Sequence, residues 1–358
     1  MTIDLLALTA ELVDVPSVSH HERQLADHLE QRLRAAPWLT VDRVGDEVVA
    51  RTTQGARPRL VLAGHTDTVP ANGNERARIE GDCLHGLGAS DMKSGLAVFV
   101  ALATGVADSA VDVTYVFYTA EEVESRHNGL ARLVRERPDL VVGDAAVLGE
   151  PTGGVVEAGC QGSLRLGLTL TGRRAHAARP WKGRNAVHRL GPVLRILEDY
   201  QPRRPVLDGC EFREALQAVG VQGGVAGNVV PDRATLTVNH RFAPDRDAAE
   251  AEDHVRRLLQ PVLDAHDVLE VIDVAPGAAP GLDHPLLQAL VDASPAPVRA
   301  KLGWTDVARF AALGVPACNL GPGDPTVAHA PDERVERAPL EATYAALLAL
   351  LEQGPAGD

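Results

Sequence analysis

Two glutamates stand side by side in Tyr118-Thr119-Ala120-Glu121-Glu122-Val123-Glu124-Ser125, directly after the apolar run Val113-Thr114-Tyr115-Val116-Phe117. The run reads as a buried strand. Neighbouring side chains point to opposite faces of a strand and well apart around a helix, so two adjacent carboxylates do not easily share one purpose. Either both are ordinary surface charges, or they carry two different jobs.

Further residues with chemical potential end other apolar runs. His65 and Asp67 lie in GHTDTVP (64–70), just past Arg59-Leu60-Val61-Leu62-Ala63. An Asp close to a His can accept the ring N–H and fix the tautomer of a metal-binding imidazole. Alone, H-x-D is a weak signal, because loops often carry such pairs. Asp91 lies in GLGASDMKSG (86–95). Met92 stands where a P-loop needs Gly, and Asp91 stands where the dinucleotide fingerprint needs its third Gly, so neither phosphate-binding reading holds. A carboxylate at this position can bridge two cations with one oxygen each, or it can cap the helix that follows. Glu150 in VLGEPTGG and His329 in PTVAHAPDERV complete the set. Two histidines with several carboxylates suit Zn²⁺ and similar divalent ions. No cysteine belongs to the set, which argues against a closed structural zinc site.

The elements that must position these residues alternate strand-like and helix-like in the first half. Leu5, Leu8 and Leu12, then Leu25, Leu29 and Leu33, mark helix faces, and residues 92–104 read as a buried helix. The apolar runs at 59–63, 113–119 and 145–149 read as strands. Such alternation predicts an α/β fold, a mainly parallel mixed sheet flanked by helices. Ligands gather at the carboxyl ends of strands in such sheets, which is where His65, Glu121, Glu122 and Glu150 fall.

The pattern changes near residue 162. Residues 163–171 and 234–239 alternate polar and apolar, as half-exposed antiparallel strands do, and residues 185–200 and 247–259 read as helices. We therefore expect a catalytic domain in two parts, residues 1–161 and 276–358, around a smaller inserted α+β domain at 162–275. The tail is expected to hold helices at 285–293 and 339–352 and a short strand at 315–320.

Composition excludes some classes. A net charge of −14 disfavours a nucleic-acid partner, which would need clustered Lys and Arg. Cys83, Cys160, Cys210 and Cys318 are widely spaced, so we expect free thiols in a reducing compartment. The first residues show no signal-peptide pattern and no run reaches a membrane span, which predicts a cytoplasmic, unprocessed chain without a membrane partner.

Taken together, GHTDTVP, GLGASDMKSG, YTAEEVE, LGEPTGG and the late HAPDE resemble the di-zinc aminoacylase and carboxypeptidase family, the M20 metallopeptidases. The segments EAGCQGSL, AHAARPWKGRNAVH, GGVAGNVVPD, VNHRFAPD and KLGWTDVARFAALGVPA extend the likeness over nearly the whole chain, and among them AGCQGSL and GWTDVARF are similar to its desuccinylase branch. The resemblance implies two Zn²⁺ per subunit, with Co²⁺ as a substitute. His65 and Glu150 would bind one ion, Glu122 and His329 the other, and Asp91 would bridge them. Asp67 would orient His65, and Glu121 would be the general acid/base. His176 would add a donor from a partner subunit, in a homodimer formed through the inserted lid domain. Asn228, Arg241, Thr305 and Arg309 would hold carboxylates of a small N-acyl amino acid, N-succinyl-LL-2,6-diaminopimelate in that branch. The alternatives are an acetylornithine-type deacylase, a carboxypeptidase or dipeptidase, and a non-catalytic binding protein on the same fold. The chain departs from some relatives at Gln161, where they carry Arg. Arg174, Lys182 and Arg184 are the nearby cations that could stand in for it.

Overall fold

The computed structural model describes residues 3–55, 58–294 and 296–355. They divide into two compact units. One comprises the chain up to Gly159, Pro280–Arg299 and the chain from Thr305; the other comprises Cys160–Ala279 and Ala300–Trp304. The short segment Ala300–Trp304 thus packs with the second unit although both its flanks belong to the first.

The first unit is built on an eight-stranded sheet, all of whose residues but Ala300 belong to it. From edge to edge its strands are Thr40–Val44, Glu47–Arg51, Asp112–Tyr118, Arg59–His65, Ala145–Leu148, Ala317–Asn319, Glu157–Ala158 and Arg299–Ala300. The four strands from Asp112–Tyr118 to Ala317–Asn319 pair in parallel, and antiparallel pairs flank them. Every residue of Asp112–Tyr118 is buried, as is every residue of Arg59–His65 after Arg59. That is the burial of a sheet covered on both faces, and it explains why these strands read as unbroken apolar runs.

Beneath the sheet the helix Lys93–Gly105 is buried on all sides from Lys93 to Ala103. Helices Leu5–Val13 and Arg337–Gln353 pack against it. Its first turn needs Gly95: a Cβ there would stand 2.2 Å from the carbonyl oxygen of Gly149. The helix start therefore sits directly under the backbone that carries Glu150.

The second unit holds a four-stranded antiparallel sheet in the order Ala215–Gly223, Arg233–Phe242, Gly162–Thr171, Val268–Ala275. The two central strands alternate buried residues with mostly half-buried ones. Their buried face, with Leu164, Leu166, Leu168, Leu236 and Val238, packs with Val193 and Leu197 of helix Leu190–Glu198 and Val255 and Leu259 of helix Ala248–Leu259. Asp247 and Glu250 close a reciprocal capping box at the start of the latter. The helix expected over 185–200 covers only Leu190–Glu198. Asn185 is the reason: its side-chain oxygen accepts the N–H groups of Val187 at 2.9 Å and His188 at 3.2 Å, which folds the chain into a turn first. Cys83, Cys160, Cys210 and Cys318 are free thiols. Among the described residues no helix is long and apolar enough to cross a membrane.

One ion pair anchors this unit. Arg189 donates its fork to both oxygens of Asp267, at 2.6 and 2.5 Å. Asp267 also accepts the N–H groups of Thr171 and Asp264 at 2.9 and 2.7 Å. Burial opposes its charge, but the Arg189 fork and these amides outweigh burial and hold the carboxyl at about 2. A carboxylate depressed in this way stabilises the fold above its unfolded pKa and loses that contribution as pH falls through the folded one. Asp267→Asn is expected to cost about 2 kcal/mol at pH 7. In urea titrations the difference from wild type should hold steady above about pH 4 and shrink as the pH falls toward 2. A difference independent of pH would show that charge is not what Asp267 contributes.

Candidate active site

Three neighbouring parallel strands deliver the chemistry from their carboxyl ends. Arg59–His65 ends in His65, Asp112–Tyr118 leads into Glu121 and Glu122, and Ala145–Leu148 leads into Glu150. Because Arg59–His65 lies between the other two, these ends are adjacent in space. Asp91 comes from the loop before helix Lys93–Gly105, and it does not cap that helix, whose N-cap is Met92. His329 comes from the loop after Ala317–Asn319. All six residues lie in the first unit.

Their donor atoms form three groups, each within 4.8 Å: His65–Asp91–Glu150, Asp91–Glu122–His329 and His65–Glu121–Glu122. Asp91 is common to the first two. Its Oδ1 stands 3.1 Å from His65 Nε2 and its Oδ2 stands 3.5 Å from His329 Nε2. His329 Nε2 is 2.7 Å from Glu122 Oε1. Ligands about 2.0–2.1 Å from one tetrahedral zinc lie roughly 3.3 Å from each other, so these spacings suit donors around shared cations. The donor types, imidazole and carboxylate, suit a divalent ion as well. So many carboxylates in one place also call for positive charge, because clustered buried anions are costly without it. The residues present fit a pair of metal ions.

Electrostatics in the protein alone points the same way. Burial disfavours a charged His65, yet hydrogen bonds with Asp67 and Asp91 outweigh it and hold the imidazole well above its usual range. Hydrogen bonds that the His329 ring donates to Asp91 and Glu122 push its pKa up to about 10. Burial alone would raise Asp91, but the two histidines hold it well below the carboxylate range. Glu121 differs from all of these. Burial, then repulsion from Glu150, Asp306 and Glu122, holds its carboxyl well above the usual value against the pull of His65.

The backbone beneath the pair is fixed by buried acids. Asp67 Oδ1 accepts the Glu121 N–H at 3.0 Å and Oδ2 accepts the Glu122 N–H at 3.1 Å; Ser19 donates its hydroxyl to Oδ2 at 2.7 Å. Glu22 Oε1 accepts the Ala120 N–H at 3.1 Å. Ala120 needs the support, since its φ of 56° lies in the left-handed region that a non-glycine residue rarely adopts. Asp67 stands 3.4 Å from His65 Nδ1 through its carboxylate, while its own backbone oxygen is nearer, at 3.1 Å. A proton on Nδ1 leaves the Nε2 lone pair, on the side of Asp91, available to a metal ion. Glu124, the third acid of the stretch, is exposed and 3.6 Å from Arg126.

The remaining expected residues fall in both units. His176 and Asn228, in the second, are neighbours: His176 pairs with Val229, and the Ala177 N–H donates to the Asn228 carbonyl at 2.8 Å. Both side chains are exposed. Arg241 is half-buried on strand Arg233–Phe242 and has no carboxylate partner among the described residues; burial lowers its pKa. In the first unit, the buried Thr305 hydroxyl donates to Asn319 at 2.9 Å. Arg309 pairs with Asp306 and donates to the Ser125 hydroxyl at 2.8 Å. Gln161 is buried and donates to the Leu302 carbonyl at 2.9 Å. Spacing in the sequence pointed to none of Ser19, Glu22 or Glu333, the last of which accepts the Asp91 N–H.

Comparison with known proteins follows the same lines. Residues 61–353 match the model of peptidase family M20/M25/M40. The chain is 54% identical over 334 residues to a Mycobacterium tuberculosis protein assigned as the succinyl-diaminopimelate desuccinylase DapE, covering 93% of each. It is 46% identical over 339 residues to the succinyl-diaminopimelate desuccinylase of Corynebacterium glutamicum, covering 92% of this chain and 91% of that one. Among solved structures, a Staphylococcus aureus tripeptidase superposes with a TM-score of 0.80 at 20% identity, covering 98% of this chain and 97% of that one. The Bacillus subtilis YXEP protein, described as a dinuclear metal binding peptidase of family M20, gives 0.70 at 17% identity, covering 97% and 96%.

Proposed function

From the premise that the chain belongs to peptidase family M20/M25/M40 and is a hydrolase acting on an amide, we propose that it cleaves N-succinyl-LL-2,6-diaminopimelate to succinate and LL-2,6-diaminopimelate. The observation that carries the reading is the pair of donor groups sharing Asp91, with Glu121 beside them. The names of the two actinobacterial relatives supply the substrate.

His65 and Glu150 would hold one zinc, Glu122 and His329 the other, and Asp91 both; Co²⁺ would serve in the same places. When bound, the metal pair supplies Lewis acidity, polarising the amide carbonyl and lowering the pKa of water toward ~7. Glu121 takes a proton from the attacking water and returns it to the leaving amine. Asp67 and Glu22 hold the Ala120–Glu122 backbone so that the Glu121 carboxylate keeps one position through both transfers. His176 donates a hydrogen bond to the developing oxyanion, from a partner subunit. Arg241, a half-buried cation without an anionic partner among the described residues, binds a substrate carboxylate with its fork, helped by Asn228. Thr305 and Arg309 complete that recognition.

The inserted unit, residues 162–275 in this reading, serves as lid and dimer contact in a cytoplasmic homodimer of lysine and diaminopimelate synthesis. Its edge strand Val268–Ala275 supports a dimer, since it exposes Val271, Ile272 and Val274 along an open sheet edge. Zinc-loaded protein is expected to carry two ions per chain and to hydrolyse the succinylated substrate well ahead of N-acetylornithine and simple dipeptides. Preference for one of those would replace the substrate while keeping the chemistry. Absence of turnover on the whole panel, with metal bound, would favour a binding protein.

A further inference from the structure

The loop that brings His329 to the site is stitched to the loop that brings Asp91. Glu333 lies four residues after His329 and is 1% exposed. Its Oε1 accepts the N–H groups of Ser90 and Asp91, both at 3.0 Å. Its backbone oxygen accepts the Gly86 N–H at 3.0 Å. Ser90 returns the contact by donating its hydroxyl to the Asp324 carbonyl at 2.8 Å. The loops touch backbone to backbone at Gly323, where a Cβ would stand 2.1 Å from the Ser90 oxygen. Asn74 adds a bond to the Ala330 carbonyl at 3.3 Å. His329 itself sits at a φ of 62°, a conformation that surrounding contacts must hold.

We propose that Glu333 is a positioning residue of the metal centre: a buried clamp that sets the Asp91 carboxylate against His329 and so fixes the two cation positions together. The inference rests on the proposed metal role of Asp91. Glu333 touches neither metal nor substrate. It works through the two amides of the Ser90–Asp91 backbone, and because it belongs to the His329 loop it ties the ligand shared by both groups to a ligand of only one. A carboxylate orients two N–H groups well, but charge is not the requirement. What matters is an acceptor oxygen at the end of a side chain of this length.

That distinction makes the proposal testable with three variants measured by zinc competition against a chromophoric chelator and by melting in EDTA. Glu333→Gln keeps the acceptor at the same reach and is expected to bind zinc within about threefold of wild type. Glu333→Asp keeps the charge but withdraws the acceptor by one methylene; it is expected to lose roughly 10–100-fold in zinc affinity, the scale typical of groups that orient metal ligands. Its kcat at saturating zinc should fall while KM stays within about twofold. Glu333→Ala should match or exceed the Asp variant. Wild-type zinc affinity in the Asp and Ala variants, even with a lowered melting temperature, would overturn the proposal and leave Glu333 a plain structural residue. Loss of zinc affinity in the Gln variant with affinity retained in the Asp variant would overturn it too, by showing that charge is what counts. Wild-type protein that binds no zinc, or an Asp91→Ala protein that binds it normally, would instead overturn the assignment of the metal centre.

Discussion

Replacing Glu121 with Gln is expected to leave zinc content at the wild-type level and to lower kcat by about 10²–10⁴-fold, the range that a positioned general base contributes. The substitution is isosteric, and the backbone anchor of residue 121 is its own N–H, held at 3.0 Å by Asp67 whatever the side chain. The fold of the loop should therefore survive. The lost property is the ability to accept and return a proton. KM should change little, since Glu121 is given no part in ground-state binding. The result also separates two readings that geometry leaves close, because the Glu121 carboxylate lies within 4.8 Å of donor atoms of His65 and Glu122. Were Glu121 a ligand, the Gln variant would lose zinc together with activity, and added zinc would restore part of the rate. Retained zinc with a rate deficit that excess metal does not repair is the signature of a base. Metal analysis alongside kcat and KM checks it.

How much of this was legible in the sequence depends on what kind of contact each residue makes. The strand ends at His65, Glu121 and Glu150 were legible because strands buried on both faces leave unbroken apolar runs, and a polar residue closing such a run is conspicuous. The order of the strands was not, since nothing in a single sequence places Arg59–His65 between Asp112–Tyr118 and Ala145–Leu148. In the second unit the alternating strands Gly162–Thr171 and Arg233–Phe242 declared themselves, whereas the edge strands Ala215–Gly223 and Val268–Ala275 did not. Those two expose consecutive residues on both faces, so no period of two marks them. At the site, residue types pointed to a metal, but sorting ligands from base required the family resemblance. Glu22 and Glu333 escaped both approaches for one reason. Their partners are backbone amides 98 and 242 residues away, and a backbone partner imposes no residue type that a sequence could reveal.

Asp67 shows the same limit in a residue that was singled out, and it yields the second large effect. From the sequence, Asp67 is expected to orient His65; the structure has the Asp67 backbone oxygen nearer to the ring, at 3.1 Å, than its carboxylate, at 3.4 Å. The carboxylate oxygens each receive one amide of the glutamate pair, at 3.0 and 3.1 Å. Asp67→Asn keeps the backbone oxygen and therefore a partner for the His65 ring. It replaces one of the two acceptor oxygens by an NH₂ group, which faces a backbone N–H with nothing to accept. A buried donor left without a partner costs about 1–3 kcal/mol, and the loop can relieve that cost only by turning Glu121 or Glu122 away from its place. The expected outcome is a fall in kcat of roughly 10²-fold at saturating zinc, of the order that small misplacements of a reacting group produce. Zinc affinity should fall by less, about tenfold or under, because the ring contact survives. If orienting His65 were the main task of the carboxylate, the balance would reverse: zinc affinity would drop most, and the rate would recover once the metal sites were filled. Titrating zinc into the Asn variant while following both bound metal and initial rate distinguishes the two.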